Sequence, residues 1–306
     1  AGDWVAGSIE IENLKPSDLS DLMSLFARVA TGHLHATLAQ AQEAQRKWTA
    51  YGIERKYTVL MAIGFEIMVS AEESNSLPPR EKEKPVAEGK VELYRAALFL
   101  TYCAAETLSQ MGDTADSGRQ GTEIDLCHKA VGVVAMISPW NFPTTTTFWK
   151  IAPALACKYA MIFKPKNLTP AWVVALTEII SRKDIPKGLL SLVMEAMYRV
   201  GQILVESAKV NAISFTSSVL LGKGIATLVL QNLIKVQMEV GSKNALAVKE
   251  DAYLDLAVSL ALGGTYGGSG QKCAASLRLA VHERMHDAFV IKMIAGPKAM
   301  VVGHAL

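Results

Sequence analysis

The chain has 306 residues, half of them hydrophobic, with 31 basic against 29 acidic side chains for a net charge of +2. That length suits about two domains with a large buried core, and the near balance of charge gives nucleic acid or a membrane surface little to hold. The four cysteines, Cys103, Cys127, Cys157 and Cys273, are scattered without a CxxC pair, which argues against a zinc cage and fits a reducing, cytoplasmic setting.

The N-terminus shows no basic region leading into an apolar run, so no signal peptide is expected. No stretch approaches the roughly 18 apolar residues of a membrane span. Residues 1 to about 36 are mixed and suit an edge hairpin. From His35 to Ala71 apolar residues recur at helical spacing, as in Leu38, Ala41, Ala44, Trp48, Leu60, Ile63 and Ile67, which predicts two helices split near Tyr51-Gly52. Pro78-Pro79 interrupts the pattern, and the charge run Arg80–Lys84 reads as a solvated helix face. A further helix is predicted from Glu88 to Met111, stopped at Gly112, followed by a polar loop over 114–121.

The pattern then changes. Ala130–Ile137 is a continuous apolar run, the mark of a strand buried on both faces. Similar runs occupy Tyr159–Phe163, Leu189–Met194, Ala212–Phe215 and Val236–Val240, with helical patterns at Phe148–Ala156, Pro170–Ser181, Arg199–Ser207 and Leu221–Leu233. Alternation of this kind predicts an α/β fold: a Rossmann-like parallel sheet with a helical N-terminal part. A short strand at Ala245–Lys249, a helix at Leu254–Leu262, a strand at Leu277–His282 and a last helix from Glu283 predict the start of a second, catalytic domain. The expected division is 1–240 and 241–306.

Ligands of such sheets bind at the carboxyl ends of the strands, and the chemistry-bearing residues fall there. Pro139-Trp140-Asn141-Phe142-Pro143 follows the first strand; two prolines fix the backbone around Asn141, whose amide suits an oxyanion or else caps a helix. Phe163-Lys164-Pro165 follows the second, where a lysine holds a ribose or phosphate or lies on the surface. Phe215-Thr216-Ser217-Ser218 follows the fourth and opens a helix, an arrangement suited to a pyrophosphate or a plain N-cap. No GxGxxG is present, and Gly222-Lys223-Gly224 is a weak signal. Glu239, in Met238–Asn244, stands in an apolar strand. A desolvated glutamate serves as a base near neutral pH, and pairing with Lys150 or Lys243 is the structural alternative. Cys273 lies in Gly267–Ala274, a glycine-rich turn. There it is either a nucleophile or an inert buried thiol.

Together PWNFP, WKIAPALA, FKP, SFT-S, ME-G-KN and GQ-CAAS, in this order and spacing, resemble the aldehyde dehydrogenase superfamily over nearly the whole chain. In detail they are most similar to its α-ketoglutarate semialdehyde (2,5-dioxopentanoate) dehydrogenase branch. The resemblance implies an NAD- or NADP-dependent oxidation of an aldehyde through a cysteine thioester. Cys273 would be the nucleophile, Asn141 the oxyanion donor, Glu239 the base, and Lys150 a support behind the site. Trp140, Lys164, Lys166, Asn167, Phe215, Ser217, Ser218 and Gly241 would border the cofactor and the pocket. A small aldehyde is the implied partner, with no nucleic acid, metal or membrane, in a homodimer or homotetramer.

Three departures stand out. Serines occupy positions 217 and 242, where the family usually has glycine. Lys166-Asn167 stands where many NAD-preferring members have an acid, which favours a 2′-phosphate. The family's chain normally runs well past Leu306, so an incomplete chain of low activity is expected. A non-catalytic protein of the same fold is the competing reading.

Overall fold

A computed structural model of the chain describes residues 3–5, 7, 10–73, 81, 85–109, 112–195, 197–241 and 244–303. Its centre is a five-stranded parallel sheet of β5 (Val133–Ile137), β6 (Ala160–Lys164), β7 (Leu190–Leu192), β8 (Ala212–Ser217) and β9 (Lys235–Val240), in the order β7-β6-β5-β8-β9. Every residue of β5 and β6 is buried, as their unbroken apolar sequence requires. Helices α4 (Thr145–Ala156), α5 (Pro170–Ser181), α6 (Met197–Glu206) and α7 (Val219–Gln231) connect successive strands. The order reverses between β5 and β8, which opens a crevice at their carboxyl ends.

The N-terminal part forms an antiparallel hairpin, β1 (Glu10–Lys15) and β2 (Asp18–Ala27), then α1 (Thr31–Ala50), α2 (Ile53–Glu73) and α3 (Val86–Ser109). The predicted split at Tyr51-Gly52 is present, and the apolar stripe of α1 is buried at Leu38, Ala41, Ala44 and Trp48. Trp48 Nε1 donates to the carbonyl of Leu155 at 2.9 Å, tying α1 to α4. One large apolar cluster joins these helices to the sheet.

Three expectations need correction. The polar loop over 114–121 is instead part of an exposed hairpin, β3 (Asp113–Asp116) with β4 (Glu123–Leu126). Four-residue strands with no buried face leave no apolar alternation to read. In the charge run, only Glu81 lies within the described residues, and it is buried rather than solvated. Its carboxylate accepts from the amides of Ala171 and Trp172, at 2.8 and 3.1 Å, and so caps α5 from a distance. Third, β9 is an open edge strand rather than a buried one. β9 alternates polar Lys235, Gln237 and Glu239 with Val236, Met238 and Val240, the pattern of a strand with a solvated face rather than of a continuous apolar run.

After β9, the strands β10 (Asn244–Val248) and β11 (Ser276–Val281) pair in parallel across α8 (Leu254–Tyr266), and α9 (Glu283–Lys298) follows. This unit has its own small cluster, with Val248, Val258, Ala261 and Phe289 buried at its centre. No helix among the described residues is long and apolar enough to cross a membrane.

Candidate active site

The turn between α8 and β11 carries Cys273. Residues 268, 269 and 270 all have left-handed backbone, with φ of 64°, 56° and 68°. Glycine tolerates this freely, whereas Ser269 is held there against its preference. The amide of Gly268 donates to Glu88 Oε1 of α3 at 2.9 Å. A Cβ on Gly268 would come within 2.8 Å of the Lys272 side chain and 3.0 Å of Glu88 Oε2, so glycine is required there for both angle and space. Cys273 is exposed beyond this turn and forms no disulfide, unlike the inert buried thiol that was the alternative.

Asn141 reaches the same turn. Its Nδ2 donates to the carbonyl of Gln271 at 2.8 Å, across 130 positions. An amide has two such N–H groups, so one anchors the loop and the second is available to a ligand. Asn141 does not cap α4; the N-cap is Thr144, whose amide, with that of Thr145, is instead bound by Glu92 Oε1 at 2.8 and 3.1 Å. From the other side, Asn244 Nδ2 donates to the carbonyl of Cys273 at 2.9 Å. The backbone on both sides of the nucleophile candidate is thus held by residues that follow β5 and β9.

Glu239 projects from β9 and is exposed. The buried setting expected of it is therefore absent. It makes no direct ion pair with Lys150, and Lys243, like Ser242, lies outside the described residues. Lys150 of α4 is buried and donates to Ser214 Oγ at 2.8 Å. Burial lowers its pKa to about 8, while the charge of Glu239 works in the opposite direction.

The dinucleotide candidates line the crevice mouth. Lys164 ends β6 buried, against the surface alternative, and donates to the carbonyl of Pro165 at 2.7 Å and to Asn167 Oδ1 at 3.4 Å. Burial, and then the nearby Lys166 charge, lower its pKa to about 8. A lysine has three N–H donors, so one remains for a hydroxyl or phosphate. Lys166 is exposed, and Trp140 is half-buried beside Asn141. Ser218 is the N-cap of α7, yet its hydroxyl caps nothing, which leaves it and the first amides of the helix for an anion. Ser217 holds the Gly241 amide through its carbonyl at 3.2 Å, and its backbone is not left-handed, so serine sits there without strain. Phe215 is a correction: it is wholly buried. A Cβ on Gly222 would meet its ring at 3.3 Å, which places that ring under α7 rather than against a ligand. These groups fit a dinucleotide laid across the carboxyl edge. Among the described residues no cluster of three or more His, Cys, Asp or Glu is placed to hold a metal.

The aldehyde dehydrogenase family profile matches residues 4–306. The chain belongs to that family. It is 30% identical over 306 residues to the 2,5-dioxopentanoate dehydrogenase of Saccharolobus solfataricus, covering 99% of this chain and 64% of the relative. It is 31% identical to the α-ketoglutaric semialdehyde dehydrogenase of Bacillus subtilis, covering 100% of this chain and 63% of that one. Among solved structures, betaine aldehyde dehydrogenase from Staphylococcus aureus in complex with NAD+ superposes with a TM-score of 0.96 at 27% identity, covering 100% of this chain and 61% of that one. The chain thus spans 63–64% of the length of these curated relatives.

Glu88, Glu92, Ser214 and Gln237 belong to this site but escaped the sequence reading. For the two helical glutamates the sequence carries no signal, since their targets lie far along the chain. Ser214 and Gln237 did carry one: each falls in an alternation of polar and apolar residues along its strand, on the same face as Glu239.

Proposed function

We propose that this chain supplies the cofactor sheet and catalytic cysteine of an NAD- or NADP-dependent dehydrogenase that oxidises an aldehyde to a carboxylic acid. The proposed substrate is α-ketoglutarate semialdehyde, in keeping with the relatives from Saccharolobus and Bacillus. The observation that carries the reading is the Asn141 bond to the Gln271 carbonyl, which brings the sheet edge and the cysteine turn together.

In this reading the Cys273 thiolate adds to the aldehyde carbon. The resulting oxyanion accepts from the second N–H of Asn141 and from the Cys273 backbone amide. When bound, the nicotinamide supplies the two-electron acceptor that turns the thiohemiacetal into a thioester. Glu239 takes a proton from water, whose oxygen attacks the thioester carbonyl; the C–S bond breaks, the acid departs and the thiol is restored. Lys164 and Asn167 hold the adenine ribose, Ser218 and the amides of α7 the pyrophosphate, and Trp140 walls the pocket. Lys166 is exposed at a position where an acid would repel a 2′-phosphate and a lysine attracts it, so both cofactors are accepted.

We read 1–240 and 241–306 as cofactor and catalytic domains, supported by two separate apolar clusters. The exposed β3–β4 hairpin suits assembly into a homodimer or homotetramer. The free cysteines suit the cytoplasm. The join between Asn141 and the cysteine turn favours this enzyme over a non-catalytic protein of the same fold.

The test is to mix the full-length protein with the semialdehyde and either cofactor and follow nicotinamide absorbance. Cys273→Ser is expected to abolish the signal and Cys157→Ser to preserve it. Turnover that survives Cys273→Ser would defeat the proposal.

A further inference from the structure

Alternation along β8 and β9 sorts their side chains onto two faces. A Cβ on Gly222 of α7 would meet Val240 at 2.8 Å, Phe215 at 3.3 Å and Met238 at 3.8 Å, so those three lie beneath α7. The residues between them, Ser214 and Thr216 on β8 and Gln237 and Glu239 on β9, point to the opposite face. The ladder sets Ser214 beside Gln237 and Thr216 beside Glu239.

Lys150 of α4 comes to this second face. Its Nζ donates to Ser214 Oγ at 2.8 Å, Ser214 Oγ donates to Gln237 Oε1 at 2.8 Å, and Gln237 Nε2 donates to Glu239 Oε1 at 3.0 Å. Every donor in this line points toward the carboxylate, so the three bonds polarise one another in the same sense. The middle position needs a group that accepts at one end and donates at the other. Glutamine does both; methionine or leucine of similar length does neither. The opposing influence of Glu239 on the Lys150 proton agrees with the connection. Of the carboxylates on the helices packed against α4, Glu92 of α3 is engaged with the amides of the first turn of α4, Glu66 of α2 pairs with Arg182 and Lys183, and Glu88 of α3 binds the Gly268 amide.

We infer that Ser214 and Gln237 are positioning residues for Glu239, a hydrogen-bonded bridge that fixes the orientation of its carboxylate and ties it to Lys150. The inference rests on the reading of Glu239 as the base for thioester hydrolysis. An exposed glutamate on an edge strand otherwise has several rotamers open to it, and a base works only within hydrogen-bond reach of the water it activates.

The test is single-turnover and steady-state kinetics on the full chain carrying Gln237→Met, Ser214→Ala, Glu239→Gln, and Gln237→Met with Glu239→Gln. Gln237→Met is expected to lower kcat about tenfold and Ser214→Ala about threefold, with KM for aldehyde and cofactor changed less than about twofold. In the Glu239→Gln background Gln237→Met should add less than about twofold, since it acts through the group already removed. Wild-type kcat in Gln237→Met overturns the bridge, as does a tenfold loss that persists without Glu239. Glu239→Gln with wild-type turnover overturns the base reading and the bridge with it. An inactive Glu239→Gln beside an unimpaired Gln237→Met leaves the base standing and removes only the bridge. If Gln237→Met folds poorly, Ser214→Ala carries the same cycle. A crystal structure of that variant should show the Glu239 carboxylate turned away from the 237 side chain, and an unmoved carboxylate counts against the bridge.

Discussion

The central sheet and the unit that carries Cys273 are built on opposite terms. β5 and β6 have no exposed residue, and helices fill the space beside them. β9, the sheet's edge, is exposed at every residue but Met238, β10 and β11 have no more than half of their residues exposed, and the cluster behind β10 and β11 is small. The lysines at the crevice belong to the dry region and have lost part of their proton affinity to it. The thiol and the carboxylate belong to the open region, where nothing among the described residues excludes water. The buried strands β5 and β6 thus supply rigidity, while the candidate thiol and carboxylate stand on exposed segments, one beyond the sheet and one on its edge.

Four measurements sharpen or break this contrast. Cys273→Ser should lower turnover by about 10⁴-fold or more, as loss of a nucleophile does, while melting with the wild type, because an exposed side chain holds no packing; a large fall in melting temperature would contradict its open placement. Phe163→Ala, in fully buried β6, should lower the unfolding free energy by about 3–5 kcal/mol in urea titrations. Leu277→Ala, at an exposed position on β11, should lower it by less than about 1 kcal/mol. Equal losses at the two positions would remove the distinction.

The third measurement concerns pH. Lys150 and Lys164 have folded pKa values of about 8, below the ordinary 10.5. Between those values the unfolded chain holds protons that the folded chain has released, so stability rises with pH across that window. Between pH 8 and 10 each of the two lysines should add about 2 kcal/mol in favour of the higher pH in urea titrations, and Lys150→Met should remove its share of the rise. The smallest effect sets two glycines of α7 against each other. Gly222→Ala places a Cβ 2.8 Å from Val240 and should cost about 1–3 kcal/mol. Gly224→Ala meets nothing within 4 Å and should gain up to about 1 kcal/mol from helix propensity.

The sheet was legible because its signals are local. The apolar runs of β5 and β6 and the proline that opens α5 can be read without knowing their neighbours. What escaped depends on residues distant in the chain. α4 begins at Thr145 rather than Phe148 because Glu92, 52 positions upstream of Thr144, binds its first amides; a run of β-branched threonines gives little hint of a helix. Glu81 reads as one member of a charge run, until its carboxylate is found on the amides of α5. Glu239 stands at the carboxyl end of its strand as expected, and its exposure has a local sign in the alternation of polar and apolar residues over Lys235–Val240, which an apolar-run reading passes over. In the site, Asn141 was legible from its flanking prolines, whereas its partner, a backbone carbonyl 130 positions away, was not.

The bond from Glu88 to Gly268 joins positions 180 apart. The loop that presents the sulfur therefore takes one of its anchors from a helix of the N-terminal part. A dissected protein beginning at β3 would retain the whole sheet and the cysteine but lose that tether. Minimised versions of this chain should keep α3, and searches for substitutions that retune the cysteine turn should extend to its first turn.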